Sequence, residues 1–204
     1  MKKHSKKFTQ FKKGKLDDYS PVINRAYRLA AYAHREQIRK SGDEYMIHPV
    51  SIMNYLRSIE VEESVLVAAL LHDTIEDTSI TIKDLEDLFG SEVAYIVYFL
   101  SKEKAVHFKN KDHRRLVYFE KLEAGFCFNY KIYLIKLVDK LHNLSSLTSF
   151  PLEKRNKTIK EAFTVFIPLF KKHLSVVPKK YMKYCEKVIR DMEEIVEDYL
   201  IRNG

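Results

Sequence analysis

The segment VLVAALLHDTIEDT, residues 65–78, runs seven apolar residues straight into a cluster of ionisable ones. Such a run reads as a helix heading into a core, and it would carry His72, Asp73, Glu76 and Asp77 with it. Taking those groups out of water is costly unless something neutralises them. At helical spacing His72 stands over Glu76 and Asp73 over Asp77, so four ionisable groups crowd adjacent faces of one turn. A divalent cation relieves both the repulsion and the desolvation, because carboxylate oxygens and neutral imidazole are its natural ligands. The competing reading is a solvated helix end with ordinary acids.

The rest of the chain is written in the same helical period. Only five Gly and five Pro interrupt 204 residues, and no strand alternation competes. Ser20-Pro21 reads as an N-cap followed by a proline in the first helical position, opening a helix that runs out near RKSGDEY. Pro49 is expected to open the next helix, with His48 just before it. The apolar run then forms one helix from about 62 to 76. Thr81 and Asp84 have capping-box spacing, with Asp in place of the usual Glu. Gly90 stops that helix, and Ser91 caps another through about Leu100. A Lys-rich loop follows, then a helix near 114–123 that leads through Gly125 into the helix in YKIYLIKLVDKLHNLSSL. Two long helices over about 153–173 and 178–202 close the chain, the first kinked at Pro168. These spans predict an all-α fold, a compact bundle of about nine or ten helices in one domain over residues 19–204.

Charge does not make this a nucleic-acid-binding chain. Seven of the eight net positive charges lie in MKKHSKKFTQFKKGK, which leaves the body near neutrality. Residues 1–18 read as a basic, flexible arm, with weak contact to RNA, anionic lipid or an acidic partner as its only charge-based roles. Phe8 and Phe11 are too few for a base-stacking platform. Cys127 and Cys185 have neither metal-site spacing nor disulfide density, so they read as buried thiols in a reducing compartment. No apolar run spans a membrane and no apolar region follows the basic N-terminus, so the expected location is the cytoplasm.

Two further segments bear on the charged helix. In LIKLVDKLHNL, Asp139 stands inside an apolar helical stripe, either paired with Lys or turned toward a polar centre; Asn143 lies one turn on. In QIRKSGDEYMIHP, Arg39, Lys40 and Ser41 offer donors suited to a phosphate or a base edge, and His48 can supply a second imidazole. His34, His107, His113, His142 and His173 read as structural.

Together AYAHREQIRKSGDEYMIHP, AALLHDTIEDT, FGSEVAYIV and LIKLVDKLHNL occur in the order seen in the HD-type hydrolase domain of the Rel/Spo alarmone enzymes. The resemblance covers roughly residues 22–150. It implies a small, stand-alone metal-dependent hydrolase that removes pyrophosphate from the 3′ position of guanosine 3′,5′-bis(diphosphate) or its pentaphosphate analogue, giving GDP or GTP. By that resemblance His48, His72, Asp73 and Asp139 match the ligands of the metal, usually Mn²⁺. Glu76 and Asp77 match the acidic pair that activates water. Arg39, Lys40, Ser41, Tyr45 and Asn143 match substrate contacts, and Lys104 loosely matches a phosphate-binding Lys. Glu36, Glu44 and the FLSK segment at 99–102 depart from the family pattern without removing a proposed ligand. Another nucleotide as substrate, an adenine alarmone or the 2′-phosphate of NADPH, is a second reading. A non-catalytic nucleotide-binding module is a third.

Overall fold

The computed structural model describes residues 19–39, 42, 44–104 and 108–203. The N-terminal arm, Lys40, Ser41 and His107 lie outside the described residues. Among the described residues the architecture is all-helical: α1 (Pro21–Ala33), α2 (Ile47–Arg57), α3 (Glu63–Leu71), α4 (Thr74–Asp77), α5 (Ile82–Phe89), α6 (Ser91–Leu100), α7 (Lys111–Phe128), α8 (Tyr130–Ser145), α9 (Leu152–Glu161), α10 (Ile167–Lys172) and α11 (Lys179–Asn203). An antiparallel bridge, Ile38 to Glu44, ties the loop between α1 and α2.

The centre of the bundle is α8. Ile132, Tyr133, Leu134, Ile135, Leu137 and Val138 are fully buried, and Lys131, Lys136, Asp139 and His142 are buried with them, so this helix is enclosed nearly all round. It packs against α2, α3, α6, α7, α9 and α11. The apolar run of α3 is buried throughout and lies against α1, α2 and α6. Any polar group carried by α3 or α8 is thereby delivered to the middle of the molecule.

Local chemistry accounts for the element ends. Ser20 Oγ accepts the Ile23 amide at 3.3 Å, with Pro21 in the first turn. The Thr81–Asp84 capping box forms in full, with Asp84 Oδ2 accepting from the Thr81 amide at 2.8 Å. Gly90 separates α5 from α6 with φ at 85° and ψ at 164°, a backbone state essentially reserved for glycine.

Several expected boundaries differ. The first helix ends at Ala33 rather than near residue 39, because the chain turns at His34 and is then held by the 38–44 bridge. Helix α2 begins at Ile47, placing His48 and Pro49 inside its first turn, where a proline needs no amide hydrogen. The expected helix over 62–76 is two helices. His72 Nδ1 donates to Ala69 O at 2.8 Å, and Thr74 Oγ1 donates to Leu71 O at 2.7 Å, so side chains occupy carbonyls that backbone amides would otherwise take. Helix α7 is longer than expected, from an Asn110 cap to Phe128. Gly125 does not end it: it sits mid-helix where Phe99 crosses, and a Cβ there would meet Phe99 Cδ1 at 2.7 Å. Just before Pro168, the site of the expected kink, a π-helical turn spans Ala162–Phe166. Pro168 has no amide hydrogen for the carbonyl one turn back, and the wider turn absorbs the mismatch.

Both cysteines are free. Cys185 is buried as expected, but Cys127 is exposed, since it falls on the outward side of the last turn of α7.

Candidate metal centre and active site

Three elements converge on one buried point. His48 comes from the first turn of α2, His72 and Asp73 from the break between α3 and α4, and Asp139 from the apolar stripe of α8. One ligand atom each from His48, His72 and Asp139 lies within 4.8 Å of the others, and all three residues are buried. His48 Nε2 is 3.3 Å from Asp139 Oδ1. Asp73 flanks the group, its Oδ2 3.2 Å from His72 Nε2 and 3.9 Å from His48 Nε2.

The ring nitrogens have divided tasks. His72 Nδ1 must carry hydrogen to bond the Ala69 carbonyl, which in the neutral ring leaves a lone pair on Nε2. That Nε2 is buried and has no hydrogen-bond partner. An unpartnered imidazole nitrogen aimed at two carboxylates suits a cation. The electrostatics agree: burial opposes charge on His72, yet Asp73 and Asp139 raise its pKa. The cluster therefore demands positive charge, which a divalent ion can meet in place of a proton. The donor set of two imidazoles and carboxylates, without thiolate, fits such an ion.

Asp139 is held from every side. Asn143 Nδ2 donates to its Oδ1 at 2.7 Å, and Lys136 and Lys140 approach its Oδ2 at 3.1 and 3.5 Å. Burial alone would raise its pKa, but the two ammonium groups and His48 hold it well below the usual carboxylate range. Burial pushes His48 down to about 4 and Lys140 down to about 8.

The expected acidic pair separates into two environments. Asp77 Oδ2 accepts from Tyr45 Oη at 2.8 Å, and the same hydroxyl lies 3.0 Å from Asp73 Oδ2. Burial and the adjacent Asp73 raise the Asp77 pKa. Glu76 instead turns toward the segment after α6, where its Oε2 accepts the Lys102 amide at 2.9 Å and its Oε1 lies 3.4 Å from Lys102 Nζ. Arg39 reaches Asn143 Oδ1 at 3.4 Å, so the loop before α2 meets α8 at the rim. Lys104 is exposed, two residues beyond the lysine that contacts Glu76.

Two residues read from sequence as structural stand next to this centre. His142 Nδ1 lies 3.0 Å from His48 Nδ1. His34 stacks on Tyr45 with ring centroids 4.0 Å apart and bonds Gln37, whose amide donates to the Asp77 carbonyl at 2.8 Å. Their histidine side chains were visible in the sequence, but nothing local marks which histidine a distant helix will bring alongside. His142 offers the better signal, being three residues from Asp139 on the same helix.

An all-helical bundle that closes on paired imidazoles and carboxylates defines a metal-binding helical domain. The chain belongs to the HD-domain family, whose model matches residues 26–176. It is 36% identical over 153 residues to the bifunctional (p)ppGpp synthase/hydrolase SpoT of Escherichia coli, covering 75% of this chain and 22% of that protein. It is 31% identical over 200 residues to a guanosine-3′,5′-bis(diphosphate) 3′-pyrophosphohydrolase of Aquifex aeolicus, covering 90% of this chain and 28% of that one. The chain thus spans less than a third of the length of these curated relatives. Among solved structures it is similar to a metazoan ortholog of SpoT that hydrolyzes ppGpp, with a TM-score of 0.66 and 26% identity over 89% of this chain and 97% of that one. No helix among the described residues is long and apolar enough to cross a membrane.

Proposed function

We propose that this chain is a pyrophosphohydrolase of guanosine 3′,5′-bis(diphosphate) and its pentaphosphate analogue, releasing pyrophosphate from the 3′ position and leaving GDP or GTP. The observation that carries this reading is the buried, unpartnered His72 Nε2 facing Asp73, His48 and Asp139. The likeness to SpoT and to the metazoan ppGpp hydrolase supports the substrate.

In this reading His48, His72, Asp73 and Asp139 hold a divalent ion, Mn²⁺, which supplies Lewis acidity and a water of lowered pKa when bound. Lys136, Lys140 and Asn143 keep Asp139 ionised and oriented. Asp77 and Glu76 take the proton of the attacking water and deliver it to the departing 3′ oxygen. Tyr45 holds Asp77 against Asp73. Arg39 and Lys40 offset charge on the diphosphates, and Ser41, Tyr45 and Asn143 contact substrate. Residues of α3, buried on every side, exclude bulk water from behind the site.

The test is product analysis after incubation with the tetraphosphate alarmone, with and without Mn²⁺, alongside Asp139→Asn and a panel including an adenine alarmone and NADPH. GDP and pyrophosphate appearing only with metal and intact Asp139 is the expected result. Turnover of NADPH or the adenine analogue in preference to the guanine alarmone would reassign the substrate. Equal turnover by Asp139→Asn would remove the metal assignment.

A further inference from the structure

A second ionisable cluster lies at the far end of α7 and takes no part in the metal centre. Glu123 and Cys127 are four residues apart on that helix, so their side chains share one face. His173, the residue that ends α10, is buried against the edge of Phe126 and reaches both of them. Its Nε2 lies 2.8 Å from Glu123 Oε1, and its Nδ1 lies 3.8 Å from Cys127 Sγ. Lys172 Nζ contacts the same Glu123 oxygen at 2.6 Å.

The two ring nitrogens are thereby assigned. Bonds from Lys172 and His173 hold Glu123 below its usual range, so it stands as a carboxylate and only accepts. His173 Nε2 must then carry hydrogen. In the neutral ring this leaves the lone pair on Nδ1, aimed at the Cys127 thiol. We infer that Cys127, His173 and Glu123 form a reactive-thiol site, distinct from the metal centre, that exchanges with small disulfides. The arrangement is a nucleophile beside a base that a third group orients.

The Cys127 S–H proton passes to His173 Nδ1, giving a thiolate beside an imidazolium whose other N–H is held by Glu123. The carboxyl end of α7 opposes the thiolate with a partial charge, whereas the imidazolium next to the sulfur carries a full one. The thiolate attacks one sulfur of the disulfide RSSR and the S–S bond breaks. The released RS⁻ takes the proton back from His173, leaving RSH and a mixed disulfide on Cys127. Cys127 is oxidised and one half of the reagent reduced, so no other redox partner is needed. Cys127 is exposed, within reach of a small disulfide such as glutathione disulfide.

Cys185 is a built-in control. It is buried in the core and its thiol is pushed up to about 12 by that burial. The experiment uses the full chain and 5,5′-dithiobis(2-nitrobenzoate) at pH 6.5, following the released thiolate and locating the adduct by mass spectrometry. A free thiol with pKa near 8.5 is only about 1% ionised at that pH. Wild type is expected to react at Cys127 about tenfold or more faster than His173→Gln and than free glutathione, with Glu123→Gln in between. Cys127→Ser should abolish the reaction while leaving alarmone hydrolysis unchanged. A wild-type rate within about twofold of His173→Gln, or an adduct on Cys185, overturns the inference. Should His173→Gln fail to fold, a Glu123→Gln rate equal to wild type overturns it instead.

Discussion

His142 Nδ1 lies 3.0 Å from His48 Nδ1, with both rings buried. One hydrogen must lie between the two nitrogens. If His48 presents its Nε2 lone pair to a metal, its Nδ1 carries that hydrogen and His142 accepts it, which fixes the orientation of the ligand ring. His142→Ala is therefore expected to weaken Mn²⁺ binding about 10- to 100-fold, as loss of such outer partners typically does. Titration followed by Mn²⁺ electron paramagnetic resonance reads this directly. His142→Asn, which restores a side-chain acceptor, should recover part of the affinity. Unchanged affinity in His142→Ala would show that His48 needs no such support.

Tyr45 is the hinge between the two carboxylates that face the site. Its hydroxyl lies 3.0 Å from Asp73 Oδ2 and 2.8 Å from Asp77 Oδ2, and its ring stacks on His34. Tyr45→Phe keeps the stack and removes a bond to charged acceptors, worth about 1.5–3 kcal/mol. Turnover should fall about 10- to 100-fold, and the thermal midpoint should fall by about 3–12 °C. Steady-state kinetics well below the lowered midpoint, with a parallel melt, separates lost turnover from unfolding.

Packing sets a limit where α7 crosses α6. At Gly125 an added methyl would sit 2.7 Å from Phe99 Cδ1 and 3.0 Å from Phe99 Cβ, too near the root of that side chain to be relieved by rotation of its tip. Overpacking of this kind costs about 1–3 kcal/mol, against about 1 kcal/mol gained in helix propensity. Gly125→Ala should therefore destabilise by up to about 2 kcal/mol, measured as a lower urea midpoint with an unchanged slope. A stabilised variant would mean that Phe99 yields freely.

Acid sensitivity should localise to the start of α3. Lys131 from α8 pairs with both Glu62 and Glu92, and Tyr130 donates to Glu62 at 2.7 Å. Bonds from Lys131 and Tyr130 hold the Glu62 carboxyl below its ordinary value. Because the folded value lies below the unfolded one, near 4.3, the contribution is complete above about pH 5 and is lost as pH falls through the folded value. Glu62 is half exposed, so solvent screening limits the effect to about 0.5 kcal/mol. Urea midpoints of wild type and Glu62→Gln should differ at pH 7 and converge near pH 2. A difference that survives at pH 2 would assign the stabilisation to packing.

The all-helical class was legible in the chain because apolar periodicity and capping chemistry are local. Ser20-Pro21 and the Thr81–Asp84 box mark helix starts through atoms three residues apart, and both form as read. The break at His72–Asp73 was not legible. A continuous helical pattern runs through it, and the competing bonds to Ala69 O and Leu71 O depend on rotamers that the core enforces. The length of α7 and the exposure of Cys127 escaped for a similar reason: glycine reads as a helix end until Phe99 is found pressed against it.

What the sequence determined alone is that ionisable side chains are fastened to segments too apolar to stay in water. VLVAALLHD and LIKLVD must each be buried, and burial carries His72, Asp73 and Asp139 inward whatever the topology. Only the tertiary structure decided that those two segments and the first turn of α2 meet at one point. The same holds for His142 backing His48, and for Tyr45 joining Asp77 to Asp73 while Glu76 turns away to Lys102. Those contacts span from 26 to 94 residues of sequence. The hydrophobic drive that buries each helix has no direction of its own. Directed bonds between these polar groups form only where close packing of α2, α3 and α8 sets the distances.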